Sequence, residues 1–171
     1  MQRTNWFERK FTFDFPEGWI FNIIERLKGT PARLEWITAH LDDAKLTFKP
    51  LGKWSIKEEI GHLSDLEELH EGRINDFLVR KETLRPADMT NAKTAGSNHN
   101  LKTLRELIDE FSTKRNKFTE RLSMLDDDTQ KFNSTHPRLQ VLMRPIDMAY
   151  FAAEHDDHHV ATIRQIMAQL K

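Results

Sequence analysis

The chain has no cysteine. That absence removes disulfides, thiolate metal ligands and a cysteine nucleophile together, and it is compatible with a reducing compartment. No apolar run approaches the roughly 18 residues of a membrane-spanning helix. The opening stretch from Met1 to Trp6 carries no hydrophobic signal-peptide core. The expectation is a soluble, cytoplasmic protein with no membrane contact. Neither sign of charge predominates, since 26 Lys plus Arg balance 27 Asp plus Glu, with no basic stripe and no acidic tail. Nucleic acid and anionic lipid are therefore not expected partners. A length of 171 residues suits one domain with a substantial core. With 38% hydrophobic and 31% charged residues and a single tyrosine, the composition fits helices with charged outer faces.

Residues 1–16 stand apart. Phe11, Phe13 and Phe15 alternate with Thr12 and Asp14, a period of two that suits an extended arm strapped over the helices or against another subunit. The rest, 17–171, reads as a single all-α domain. A helix opens at Pro16-Glu17 and is expected to break at Gly29-Thr30-Pro31, where a new segment starts and runs to about Leu41. Residues 42–54 read as loop. Ser55-Ile56-Lys57-Glu58 is a capping box, and it starts a second helix running to about Arg80. A linker spans 81–99. A third helix follows from an Asn100 cap to about Leu125, its Lys114, Arg115, Lys117 and Arg121 read as a solvated face. Residues 129–143 read as loop, and Pro145 opens a fourth helix that reaches about Leu170. These stretches make a four-helix bundle.

The chemistry concentrates in Glu154-His155-Asp156-Asp157-His158-His159. His155 and His159 are one turn apart on one helix face, a spacing at which two imidazoles can grip one transition metal. The pair alone is weak, because 8 histidines placed at random would give about 0.4 such pairs. Asp156 stands where the zinc-peptidase helix motif has Glu, so that reading does not follow. Both histidines flank the buried face of the fourth helix, whereas His158 turns toward solvent. On the second helix His62 falls at the edge of the buried face, and Glu67 and His70 fall inside it. His62, His155 and His159 would supply three nitrogens and leave positions open, which is the ligand count of a catalytic site. Imidazole suits Zn, Ni, Fe or Cu. The competing reading is three ordinary hydrogen-bonded histidines. Glu59-Ile60-Gly61-His62 matches the Glu-x-x-His of di-iron bundles, but the fourth helix offers no second copy. His70 reads as a structural partner of Glu67, and His40, His99 and His136 as surface residues.

Trp54-Ser55-Ile56-Lys57-Glu58-Glu59-Ile60-Gly61-His62-Leu63-Ser64-Asp65-Leu66-Glu67, followed some ninety residues later by Glu154-His155-Asp156-Asp157-His158-His159, resembles the DinB-like (YfiT-like) family. Carried over residue by residue, the resemblance implies His62, His155 and His159 as ligands of a divalent transition metal (Zn, Ni or Fe). It also implies an up-down-down-up bundle, which the 81–99 linker accommodates, and a homodimer. This sequence departs from the family where the last motif often continues His-Arg-Gly-Gln; here Val160-Ala161-Thr162 follow His159. The arm lies outside the family's core pattern.

Three functions remain open. The first is a metal-dependent enzyme acting on a small molecule, either a hydrolase or a transferase using a low-molecular-weight thiol, as the family implies. The second is a non-catalytic metal-containing binding or stress-response protein. In the third the metal only supports folding, which a fourth protein ligand such as Glu67 would favour. No general base stands out, and Asp65, Glu67 and Asp156 can equally be partners that orient imidazoles.

Overall fold

The computed structural model describes residues 3–170. Met1 and Gln2 of the expected arm, and Lys171 at the end of the expected bundle domain, lie outside the described residues. Four long helices form the body: α1 (Ile20–Thr38), α3 (Ile56–Leu78), α5 (Leu104–Ser123) and α7 (Pro145–Met167). Three one-turn helices sit in the connections: α2 (Asp43–Thr47), α4 (Ala92–Gly96) and α6 (Asp127–Lys131). α1 and α3 each pack extensively against both α5 and α7, which makes a four-helix bundle with α1 and α3 diagonally opposed.

The core divides into two layers. One joins Ile20 to Leu27 of α1, Ile74 and Phe77 of α3, Phe118 and Leu122 of α5, and Ile146 to Ala153 of α7. The other joins Leu34 and Ile37 of α1, Ile56 to Leu63 of α3, Leu107 to Phe111 of α5, and Ile163 and Ile166 of α7. The histidines of interest lie on α3 and α7, beside the boundary between these layers.

The helix starts follow local chemistry. Ser55 Oγ accepts from the Glu58 amide at 3.2 Å and Glu58 Oε2 accepts from the Ser55 amide at 2.9 Å, the reciprocal box expected for α3. The third long helix begins later than expected. Its cap is Thr103, boxed with Glu106, while Asn100 sits in a 3-10 turn and receives a hydrogen bond from Ser55 Oγ at 2.6 Å. A cap three residues downstream offers the same reciprocal pairing, and the packing of 99–101 against α3 decides between the two.

The expected break at Gly29-Thr30-Pro31 does not occur; α1 continues through Pro31. Proline lacks the amide that would bond the carbonyl of Leu27, and an unpaired carbonyl there would be costly. Arg115 of α5 supplies the missing donor, with Nη1 3.2 Å from the Leu27 oxygen. The solvated-face reading of Arg115 is therefore also corrected: its side chain is fully buried, between Glu67 and Asp156.

The loops are more structured than their composition suggests. Ser134–Thr135 and Leu142–Met143 form a small antiparallel hairpin pairing Ser134 with Met143, and Thr83 bridges to Thr135 from the other side. Residues 9–16 have no regular structure. Phe11, Phe13 and Phe15 are half-buried, whereas Thr12 and Asp14 are exposed. Phe11 and Phe13 pack with Trp6, Met143 and Phe151, and Phe15 lies 4.5 Å from the Tyr150 ring.

Candidate metal centre

One nitrogen each from His62, His155 and His159 lies within 4.8 Å of the others, the group of metal-capable side chains found among the described residues. α3 presents His62, and α7 presents His155 and His159 one turn apart. The Nε2 atoms of the α7 pair are 3.1 Å from each other. Trp54 packs its ring 4.7 Å from His62, and Trp6 sets its own edge-on at 5.0 Å from His155.

Two of the imidazoles are oriented by partners on their far nitrogen. His62 Nδ1 lies 3.1 Å from Thr94 Oγ1, which donates to Asp65 Oδ2 at 3.0 Å. That same carboxylate oxygen lies 2.8 Å from His99 Nε2. The hydroxyl has one proton and gives it to Asp65, so His62 is the donor at Nδ1 and keeps its Nε2 lone pair free. His159 Nδ1 lies 2.5 Å from Glu59 Oε2, with the same consequence once Glu59 is a carboxylate. His155 Nδ1 is buried without a partner among the described residues.

Burial, reinforced by His159, lowers the His62 imidazole to about 3; burial lowers His159 to about 4 and His155 well below its ordinary value. All three are neutral at pH 7 and able to donate lone pairs. Burial pushes the Glu59 carboxyl up to about 8, so without a cation nearby the Glu59–His159 pair retains a proton. A cation held at the Nε2 side would favour the carboxylate. Three neutral imidazoles, two already turned by outer partners, are a donor set that fits a divalent transition metal.

The other acids named from sequence lie elsewhere. Glu67 Oε1 accepts from Arg115 Nη2 at 2.7 Å and lies 3.1 Å from His70 Nδ1, so it does not close the site as a fourth ligand. His70 is its structural partner, as expected. Asp156 binds Arg115 and Thr30 inside the bundle. Asp65 acts through Thr94. His40 is exposed, whereas the surface reading of His99 and His136 is corrected: both are buried. His158 is half-buried and faces the same cavity as the cluster. That cavity, about 490 Å³, is bounded by Trp6, Trp54, Leu66, Phe151 and the three histidines.

Thr94, His99 and Glu59 were not legible as site residues. Thr94 and His99 come from the 81–103 connection, whose docking onto α3 has no local signature. Glu59 did leave one, because it is an acid beside the buried Ile56–Ile60–Leu63 stripe, where a bare charge is costly.

A four-helix bundle with three histidines converging from two of its helices beside a cavity defines the class. The DinB superfamily profile matches residues 26–163, and the chain belongs to that superfamily. No curated protein matches its sequence significantly. Among solved structures, YfiT from Bacillus subtilis superposes with a TM-score of 0.77 at 20% identity, over 95% of this chain and 94% of that one. It is described as "a probable metal-dependent hydrolase with an unusual four-helix bundle topology". A mycothiol-dependent maleylpyruvate isomerase superposes with a TM-score of 0.65 at 9% identity, over 86% of this chain and 60% of the other.

Proposed function

We propose that this protein is a metal-dependent enzyme acting on a small molecule, with His62, His155 and His159 as the ligands of a divalent transition metal (Zn, Ni or Fe). The observation that carries the reading is the convergence of three neutral imidazoles on one edge of a cavity of about 490 Å³. A metal held there would supply Lewis acidity, acidifying a coordinated water or thiol. The chain's own residues do the rest. Thr94 and Glu59 hold the imidazole tautomers, while Trp6, Trp54 and Phe151 restrict water around the site.

Hydrolysis and transfer from a low-molecular-weight thiol are the two reaction classes. The description of one structural neighbour as a probable metal-dependent hydrolase and the mycothiol dependence of the other support them in turn. The alternative is a non-catalytic metal-containing binding or stress-response protein. We read the course of the bundle as up-down-down-up, which the order of residues through the two core layers supports. We infer a division into an N-terminal arm, 1–16, and a single bundle domain, 17–171; Trp6–Glu8 forms a 3-10 turn, so the arm is extended only in part. A cytoplasmic homodimer, without nucleic-acid or membrane partners, completes the reading. Among the described residues no helix is long and apolar enough to cross a membrane.

Elemental analysis of tag-free protein tests the proposal. One transition-metal ion per chain is expected in the wild type and none in His62→Ala, with helical circular dichroism retained. A wild type that takes up no metal after incubation with Zn²⁺ or Ni²⁺ would sink it. Metal uptake with no turnover across hydrolase and thiol-transfer substrates would favour the non-catalytic alternative. Light scattering at micromolar concentration decides the dimer.

A further inference from the structure

The cavity has a second polar wall that the histidine cluster does not use. Arg73 of α3 is 4% exposed, and its side chain donates only to the Arg85 carbonyl oxygen, from Nε and Nη2 at 3.3 Å each. Asp76, one turn further along α3, is already engaged by the Arg85 amide at 2.8 Å and by its guanidinium at 3.0 Å. Arg138 is half-buried against the rings of Phe7 and Phe151, at 5.3 and 5.7 Å. Neither arginine pairs directly with a carboxylate among the described residues; burial lowers the Arg73 guanidinium to about 10, and the charge of Asp76 supports it without offsetting that burial.

His136, 3% exposed, stands between them in character. Its Nδ1 accepts the amides of Arg138 and Leu139 at 3.3 and 3.1 Å, which places the proton on Nε2. That N–H is buried and has no acceptor among the described residues. Burial and the charges of Arg73 and Arg138 lower the imidazole to about 3, which keeps it neutral; all three residues line the cavity. The one acid on the cavity lining, Asp88, spends its oxygens on Thr90 and the Ala92 amide.

Two guanidinium groups and a histidine whose Nε2–H is buried and unpartnered line one cavity, and its one acid is bound elsewhere, so the wall carries unbalanced positive charge and a donor in need of an acceptor. Burying a cation without one is unfavourable, and a ligand that brings the negative charge removes that penalty. We propose that this wall is an oxyanion subsite, in which Arg73, Arg138 and His136 Nε2–H hold the carboxylate or phosphate of a small substrate. The apolar remainder of that substrate lies against Phe7 and Phe151 and leads toward the histidine cluster. The proposal deepens the enzymatic reading above and rests on it for the word substrate; the subsite itself does not require the metal.

Calorimetric titration with phenylacetate, phenyl phosphate and the neutral phenylacetamide tests it, on wild type, Arg138→Met, Arg73→Met and His62→Ala. Saturable binding of at least one anion is expected, with the amide at least about tenfold weaker. Each arginine variant should weaken the anion by about tenfold or more and leave the amide unchanged. His62→Ala should bind the anion within about twofold of wild type, which separates this subsite from the metal reading. Arg138→Met, altering a half-buried side chain, decides the matter where Arg73→Met does not fold. The anion that binds more tightly identifies the group recognised. No anion binding, equal affinity for the amide, unchanged affinity in Arg138→Met, or loss of the anion in His62→Ala would each overturn the proposal.

Discussion

Replacing Arg115 by Met removes the donor at the centre of the bundle while keeping most of its volume. The guanidinium donates to Glu67 Oε1 at 2.7 and 3.1 Å, to both oxygens of Asp156, and to the Leu27 carbonyl that Pro31 leaves free. Burial pushes the Glu67 carboxyl up, but Arg115 and His70 outweigh it and hold it down at about 2, against an ordinary 4.5. That difference, to which Arg115 is the larger contributor and His70 the smaller, corresponds to about 3 kcal/mol at pH 7. The orphaned Leu27 carbonyl adds about 1 kcal/mol. Their sum, about 4 kcal/mol, agrees with the 3–5 kcal/mol typical of breaking a buried ion pair from one side. It is a large share of the roughly 5–15 kcal/mol that holds a domain together.

Urea denaturation of metal-stripped wild type and Arg115→Met checks both the size and the sign. Glu67 has a depressed value in the fold, so its stabilisation is complete above pH 4.5 and is lost as pH falls toward 2. In Arg115→Met the cation is gone and burial favours the neutral acid, so the gap between the two proteins narrows on acidification. Adding Pro31→Ala returns an amide to the Leu27 carbonyl and should recover about 1 kcal/mol more in Arg115→Met than in wild type. A loss below about 1 kcal/mol at pH 7, or no coupling with Pro31→Ala, would refute the reasoning.

Three further outcomes follow from the same geometry. Thr94→Val and Glu59→Gln should each weaken zinc affinity in a competition titration by about 10- to 100-fold, by freeing the imidazole each one orients; affinities within twofold of wild type would count against those roles. Gly61→Ala places a Cβ 2.3 Å from the buried, Asp65-bound ring of His99 and should cost about 1–3 kcal/mol. Gly72→Ala meets the Arg85 guanidinium at 2.2 Å and must displace it from buried Asp76, so it too should lower stability, and an unchanged Tm in either variant would contradict this account. Metal-free protein should lose stability as pH falls below 6.5, because His62, His136 and His159 are held neutral to about 3, 3 and 4 while the unfolded chain takes up protons; Glu59, raised to about 8, offsets the share of one of them. The slope reaches about 1.4 kcal/mol per pH unit for each histidine, and a urea midpoint unchanged between pH 7 and 5 would contradict it.

Much of the architecture is local and was legible in the chain. Ser55 and Glu58 announce the start of α3 because a capping box needs only four consecutive residues. Pro145 opens α7 for a similar reason, since its missing amide costs nothing at a first helical position. The His155–His159 spacing places two imidazoles on one helix face wherever that helix goes. The bundle and the superfamily could be read from such features. The course of α1 could not. Whether Pro31 breaks the helix depends on a donor arriving from α5, and Arg115 lies 84 positions away in sequence.

The same division runs through the site. His62 joins the α7 pair only through the packing of α3 on α7, and its free nitrogen is selected by Thr94, a residue of the connection. Glu59 finds His159 across a helix interface 100 positions distant in the chain. Arg73, His136 and Arg138 are ordinary polar residues until the hairpin and α3 close a cavity around them whose one acid, Asp88, is bound elsewhere. Sequence by itself determined where most helical stretches lie, their buried stripes and which residue types could bind a metal, because those follow from neighbours within a turn or two; the continuity of α1 and the start of α5 did not. The tertiary structure alone decided which polar groups lose water and which partners replace it, because desolvation depends on surfaces that meet only when distant segments pack.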